Sequence, residues 1–229
     1  MSIMTVTVNT DVRCNVGLVV NLPESQIEPP RLRDWTRAAV RAEIADRALQ
    51  LFDEYGFDAT TVDNIAAVAG ISARTFFRYF ATKEDVVFGD LVPIGESIRS
   101  TLVGRPTGES AWAALRAAVH VIADIADGEY ETALRVTRVA SSTASLRARS
   151  HEKHAAWASL LTPLIEARLV GPDDPRLAAE ALVYSALACL DIALNEWARS
   201  DGKRNLRHLI DIAFDGVEQQ VVTPGSPDT

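Results

Sequence analysis

The 229-residue chain is 48% hydrophobic and 24% charged, ordinary proportions for a folded globular protein, with a formal net charge of −8. No run of about 18 apolar residues marks a membrane span, and no basic segment followed by a long apolar stretch marks a secretion signal. The only cysteines are Cys14 and Cys189, too few for a disulfide framework, so a reducing cytoplasm is the expected home.

Residues 1–30 alternate at Thr5-Val6-Thr7-Val8 and then carry Pro23, Pro29 and Pro30 with no helical period. A flexible arm is expected there, with a short strand or a misassigned translation start as alternatives. The first helix should run from about Arg33 to Tyr55, because Ala45, Ala48, Leu49 and Phe52 recur at i, i+3, i+4 and i+7. Gly56 stops it, and Phe57 can fold back over the stop. Arg33, Arg37 and Arg41 share one face, read either as solvated beside Asp34 and Glu43 or as phosphate contacts.

The stretch from Thr61 to Lys83 organises the chain. Thr61 is an N-cap candidate, and Val62, Ile65, Ala66 and Ala69 give a helix of two turns. Gly70 stops it, Ser72 caps the next, and Ala73 to Phe80 form a second short helix. Two short helices joined by a turn containing glycine predict a helix-turn-helix, with the second helix entering a DNA major groove. That helix offers Arg74, Thr75, Arg78 and Tyr79 to phosphates and base edges, while Phe76 and Phe80 can pack behind it. Residues 31–83 hold eight basic and seven acidic residues, the only part of the chain that is not net negative.

Beyond Lys83 the pattern is helical almost throughout. One helix starts at Glu84 and should kink or end at Pro93. Others are expected over 109–126, 129–141, 145–170 with a bend near Pro163, 175–200 and 205–221. Gly104–Gly108 and Gly171–Pro175 are breaks, and the tail after Val222 is expected to be disordered. Leu187, Leu190 and Leu194 lie in a segment apolar nearly all round, so it must be covered on several sides. Burial inside one domain would cover it, and so would a dimer four-helix bundle with these leucines as its contacts. Trp112, Tyr130, Trp157 and Tyr184, with Trp197, are large rings on Ala-rich helices, read either as core fillers or as candidate walls of an effector pocket.

Enzyme signatures are missing. His151-Glu152-Lys153-His154 spaces its histidines three apart rather than four and has no cysteine nearby, so no metal is expected. His120 reads as a satisfied, half-buried histidine. No phosphate-cradling glycine loop or nucleophile elbow occurs, and no cofactor is expected.

From Arg37 to Lys83 the sequence resembles the DNA-binding domain of the TetR family of bacterial transcriptional regulators. The matching residues are Ala48 through Gly56-Phe57, Thr60-Thr61-Val62, Ile65-Ala66, Ala69-Gly70-Ile71-Ser72, Thr75-Phe76-Phe77, Tyr79-Phe80 and Lys83. Phe77 departs from the family's usual Tyr, which removes a hydroxyl-to-phosphate bond. The resemblance implies an all-α fold: a three-helix helix-turn-helix domain (31–82) followed by a helical effector-binding and dimerisation domain (83–222). It implies a homodimeric regulator, a repressor, that binds a palindromic double-stranded operator and is released by a small apolar effector. DNA contacts are expected from Arg37, Arg41, Thr60, Thr61, Ser72, Ala73, Arg74, Thr75, Phe77, Arg78, Tyr79 and Lys83. The lysine is expected to meet the DNA backbone together with Thr82 at a helix N-terminus. The arginine-bearing RTFFRYF variant is similar to an actinobacterial branch in which lipid-like or acyl-CoA ligands occur. A helical carrier or enzyme whose helix-turn-helix is only structural is one rival class, and a protein–protein adaptor using the dimer helices is the other.

Overall fold

A computed structural model describes residues 32–89 and 92–222, with side-chain environments from Arg37 to Gln219. The expected arm (1–30) and tail (223–229) lie outside the described residues. Eleven helices and no strand occur among the described residues.

The apolar stripe of α1 (Leu32–Tyr55) buries Ile44, Ala48, Leu49 and Phe52. Against it lie α2 (Val62–Ala69) and α3 (Ala73–Tyr79). The next segment divides into α4 (Glu84–Phe88) and α5 (Val92–Val103). Pro93 falls in the first turn of α5, where the N–H it lacks would have had no partner, so it starts a helix rather than kinking one. The segment expected as one helix over 109–126 is α6 (Ala111–Val119) and α7 (Val121–Gly128). The chain tightens between them, with Ala123 N–H donating to His120 O at 2.9 Å. There follow α8 (Tyr130–Ser142), α9 (Ala144–Glu166), α10 (Pro175–Arg199) and α11 (Leu206–Val222). Pro163 lies within the last turns of α9, and Asp174 caps α10 with Pro175 in its first turn.

Two cores form. The first joins Ile44, Leu49, Phe52, Phe57, Ile65, Phe76 and Phe80 to Val86 and Val87 of α4, Val139 of α8 and Leu146 of α9. The expected boundary at residues 82–83 therefore falls inside a packed unit, because α4 closes the bottom of the helix-turn-helix. The second core runs from Ile98 of α5 through α6 to α11, ending on Phe214.

Helix α10 is the axis of the second core and meets α6, α8, α9 and α11. Its 25 residues are long and apolar enough to cross a membrane by length and composition, which the sequence reading had not expected. Burial among four neighbouring helices accounts for the inward-facing part of that composition. It also corrects the dimer assignment. Leu187 and Leu190 are each 1% exposed within a single chain, and Leu194 is half-buried against the same core. An all-round apolar helix has more than one face to cover, and periodicity does not say which face another chain covers. The exposed, outward seam of α10 is Leu177, Ala181, Tyr184, Ala188 and Ile192, and α11 exposes Ile212 and Val217.

Candidate nucleic-acid interface

The short helices α2 and α3 are fixed by their ends. Thr61 Oγ1 accepts from Asn64 N–H at 3.2 Å, and Asn64 Oδ1 accepts from Thr61 N–H at 2.9 Å, a reciprocal capping box. Asn64 was not singled out from sequence; its place three residues after the cap is the signal that could have found it. Gly70 closes α2 at φ 68°, the left-handed region in which a side chain is strained. Ser72 Oγ accepts from Thr75 N–H at 3.1 Å and starts α3. Each lost cap of this kind costs about 1 kcal/mol, and they start helices of only eight and seven residues.

One face of α3 is locked inward. Phe76 is fully buried, with ring centroids 5.5 Å from both Phe77 and Phe80. The other face presents Arg74, Phe77 and Arg78 to solvent, with Ala73 and Thr75 half-exposed beside Ser72. Arg74 has no hydrogen-bond or ion-pair partner among the described residues. Tyr79 turns its ring toward the first core, with the Arg78 guanidinium 5.2 Å from the ring centroid. Thr61 is exposed at the start of α2.

Four expected DNA contacts have structural partners that the sequence did not reveal. Thr60 is 2% exposed and donates from Oγ1 to Gly56 O at 2.9 Å; it finishes the α1 stop and faces inward. Arg37 Nη2 donates to Arg78 O at 3.3 Å, and Arg41 Nη1 donates to Tyr79 O at 3.0 Å. These cations meet carbonyls left open at the C-terminal end of α3, where positive charge also suits the helix dipole. Arg41 lies 4.5 Å from the Phe80 ring centroid and is half-buried, whereas Arg37 is exposed. Lys83 Nζ donates to Phe57 O at 2.7 Å and Thr60 O at 2.9 Å, with the Phe57 ring 4.0 Å away. It clamps the α1–α2 turn to the α3–α4 turn instead of standing free.

The anion position expected at Thr82 is also filled. Asp85 Oδ2 accepts from Thr82 N–H at 3.0 Å, and Thr82 Oγ1 accepts from Asp85 N–H at 3.2 Å. The protein's own carboxylate satisfies this N-terminus. Arg149 of α9 holds the same carboxylate at 2.7 Å, and Arg135 of α8 reaches Asp46 of α1 at 3.2 Å, so two ion pairs tie the helix-turn-helix to the larger helical body. Burial works to raise the Asp85 carboxyl pKa, but hydrogen bonds from Thr82 and Arg149 outweigh it and hold the pKa below its ordinary value. A depressed carboxylate contributes stability that is complete above its unfolded-state value and is lost as pH falls through the folded-state value. The fold should therefore weaken on acidification below about pH 4. Asp85→Asn should remove part of that acid dependence, as read from thermal melts across a pH series; an unchanged acid limb would assign the loss to other carboxylates.

The four candidate pocket rings are not gathered. Trp112 stacks obliquely on Phe214 at 4.5 Å, Tyr130 meets Trp197 edge-on at 5.6 Å, and Trp157 is buried in α9. Tyr184 stands on the outward seam of α10. Trp112 and Trp157 pack into or against the core, whereas Tyr130 and Tyr184 stay exposed. Among the described residues no His, Cys, Asp and Glu cluster could hold a metal ion. A groove of about 460 Å³ lies where the α1–α2 turn meets the α8–α9 junction, lined by Phe52, Tyr55, Asp58, Arg138 and Thr143.

Comparison with known proteins accords with this geometry. The profile of bacterial regulatory proteins of the tetR family matches residues 44–88, and that of the MftR C-terminal domain matches residues 109–222. The chain is 29% identical over 181 residues to the mycofactocin biosynthesis transcriptional regulator MftR of Mycobacterium tuberculosis, covering 79% of this chain and 90% of that one. It is 37% identical over 103 residues to the HTH-type transcriptional regulator TcmR of Streptomyces glaucescens, covering 44% of this chain and 46% of that one. The fold is similar to that of the FadR repressor of Thermus thermophilus, solved with lauroyl-CoA, at TM-score 0.53 and 22% identity, covering 82% of this chain and 98% of that one.

Proposed function

The chain belongs to the TetR family of bacterial transcriptional regulators, and from that premise we propose that it represses transcription as a homodimer on a palindromic operator. The observation that carries this reading is the outward face of α3. Phe76 and Phe80 hold the helix from behind, the Ser72 cap fixes its start, the Thr61 cap fixes the start of α2 before it, and Arg74, Phe77 and Arg78 face outward with Thr75 half-exposed beside them. Arg74 suits a guanine edge; Arg78, Ser72 and Thr61 suit phosphates; Phe77 suits a thymine methyl or sugar in place of the family's tyrosine hydroxyl. Arg37, Arg41 and Lys83 act one step back, by orienting α3 and the turns around it. A partner of this kind and the buried free thiol of Cys189 suit the cytoplasm.

Dimerisation is assigned to the outward seam of α10 and α11. Leu177, Tyr184 and Ile192 repeat at spacings close to a heptad, with Ala181 and Ala188 between them for close approach. Two such helix pairs form a four-helix bundle, and its two-fold axis matches the symmetry of a palindrome. The effector is a small apolar molecule, lipid-like or an acyl-CoA, as in the FadR complex with lauroyl-CoA. It need only bind unequally to two arrangements of the dimer. The favoured one moves the recognition helices off the spacing of successive major grooves, about 34–36 Å.

The test is operator binding by fluorescence anisotropy, on a site selected from random duplexes. Arg74→Ala is expected to weaken specific binding by about 1–3 kcal/mol while leaving non-specific binding nearly unchanged. Equal losses on both would make Arg74 a phosphate contact, and salt-independent binding would remove the DNA reading altogether.

A further inference from the structure

Helix α9 carries a group of polar side chains that the DNA-binding reading leaves unused. Arg149, Lys153 and Trp157 recur every fourth residue and so share one face. Arg149 grips Asp85 of α4. One turn on, the Lys153 ammonium lies 4.8 Å from the Trp157 ring centroid and 5.7 Å from that of Phe88, at the end of α4. No hydrogen-bond acceptor or carboxylate within ion-pair distance engages it among the described residues. Beside it, His154 is 5% exposed, and its Nε2 has no hydrogen-bond partner. Asp191 Oδ1 of α10 stands 3.3 Å from that nitrogen without the alignment of a bond. Gly95 of α5 lets the backbone close over Trp157, since a Cβ there would lie 2.7 Å from the indole.

A half-buried ammonium with no acceptor and a buried imidazole nitrogen whose one nearby carboxylate is misaligned are costly in a finished core. We propose that Lys153 and His154 are the seat for the single carboxylate of an apolar effector, placed so that its occupation reaches α4. The class follows from the chemistry. Lys153 supplies charge and up to three donors, His154 supplies one, and the Phe88 and Trp157 rings supply an apolar wall. Asp191 already places one negative charge in the group, so a monoanion is admitted more readily than a phosphate dianion. Burial also pushes the Lys153 pKa down from its ordinary value, with Asp191 opposing, and an arriving anion relieves that penalty. A carboxylate on Lys153 draws the ammonium off Phe88. Because α4 follows α3 after a short turn and is held by Arg149 one turn away, that shift is delivered to the recognition helix.

This assignment rests on the effector-responsive reading, but the ligand measurement needs no DNA. Calorimetry on the full chain would compare decanoate with 1-decanol, both below their aggregation limits. Wild-type protein is expected to bind the acid at least about tenfold tighter than the alcohol. Lys153→Met should abolish that preference, and His154→Gln should reduce it. Asp191→Asn should strengthen acid binding by removing the neighbouring negative charge, an increase that a damaged fold would not give. No binding of decanoate, equal binding of acid and alcohol, or a preference retained in Lys153→Met overturns the seat. Operator binding on the same preparations, without ligand, reports separately on the DNA reading.

Discussion

Leu190→Glu is expected to unfold the larger helical body, whereas Ile192→Glu should leave it folded and block dimerisation. The two positions are two residues apart in α10, yet Leu190 is 1% exposed and Ile192 is 62% exposed. Removing a buried leucine side chain costs about 2–5 kcal/mol by itself. Placing a carboxylate in the same space adds several kcal/mol or forces protonation. The sum is comparable to the whole stability of an ordinary domain, about 5–15 kcal/mol. At position 192 a glutamate faces solvent in the single chain and changes its stability little. In a dimer it enters an apolar seam opposite the same seam on the partner, where an unpaired charge is costly. Circular dichroism melts and analytical ultracentrifugation separate the outcomes. A folded, dimeric Ile192→Glu would move the interface away from this seam, and a folded Leu190→Glu would contradict the packing of α10.

Phe76→Ala is expected to cost about 3–5 kcal/mol and abolish operator binding by releasing α3. Phe77→Ala should leave stability nearly unchanged and weaken operator binding alone. These adjacent residues differ by a 100° turn of the helix. Phe76 is fully buried, in contact with the rings on either side of it, and Phe77 is 56% exposed. Deleting the first leaves a cavity beneath α3 and α2, helices of seven and eight residues that are too short to persist without tertiary packing. Deleting the second removes an exposed ring whose contact within the chain is one edge-on meeting with Phe76, and with it the contact proposed to the nucleic acid. Thermal melts with operator titrations on both variants provide the check. A strong loss of stability from Phe77→Ala would mean that its ring supports the core.

The helix-turn-helix was legible residue by residue because its determinants are local. The Thr61 and Ser72 caps, the left-handed Gly70 and the Phe76–Phe80 pair each act within one or two turns of chain, and each occurs where the spacing placed it. The outward placement of Arg74 and Arg78 followed from the same periodicity. So did the all-helical class, since 3.6-residue periodicity and proline and glycine breaks are properties of short segments.

What tertiary structure alone decided is which partner each polar group and apolar face acquired. Lys83, Arg37 and Arg41 had the types and positions of phosphate ligands, but carbonyls at Phe57, Thr60, Arg78 and Tyr79 lay within reach and took them. Thr82 was free to accept an anion until Asp85, anchored by Arg149 from 64 residues away, supplied one. Helix α10 was plainly to be buried, but its sequence does not distinguish the face covered by its own chain from the face open to a second. Hydrogen bonds and burial are satisfied by whichever groups the fold brings near, and sequence separation carries no record of that proximity.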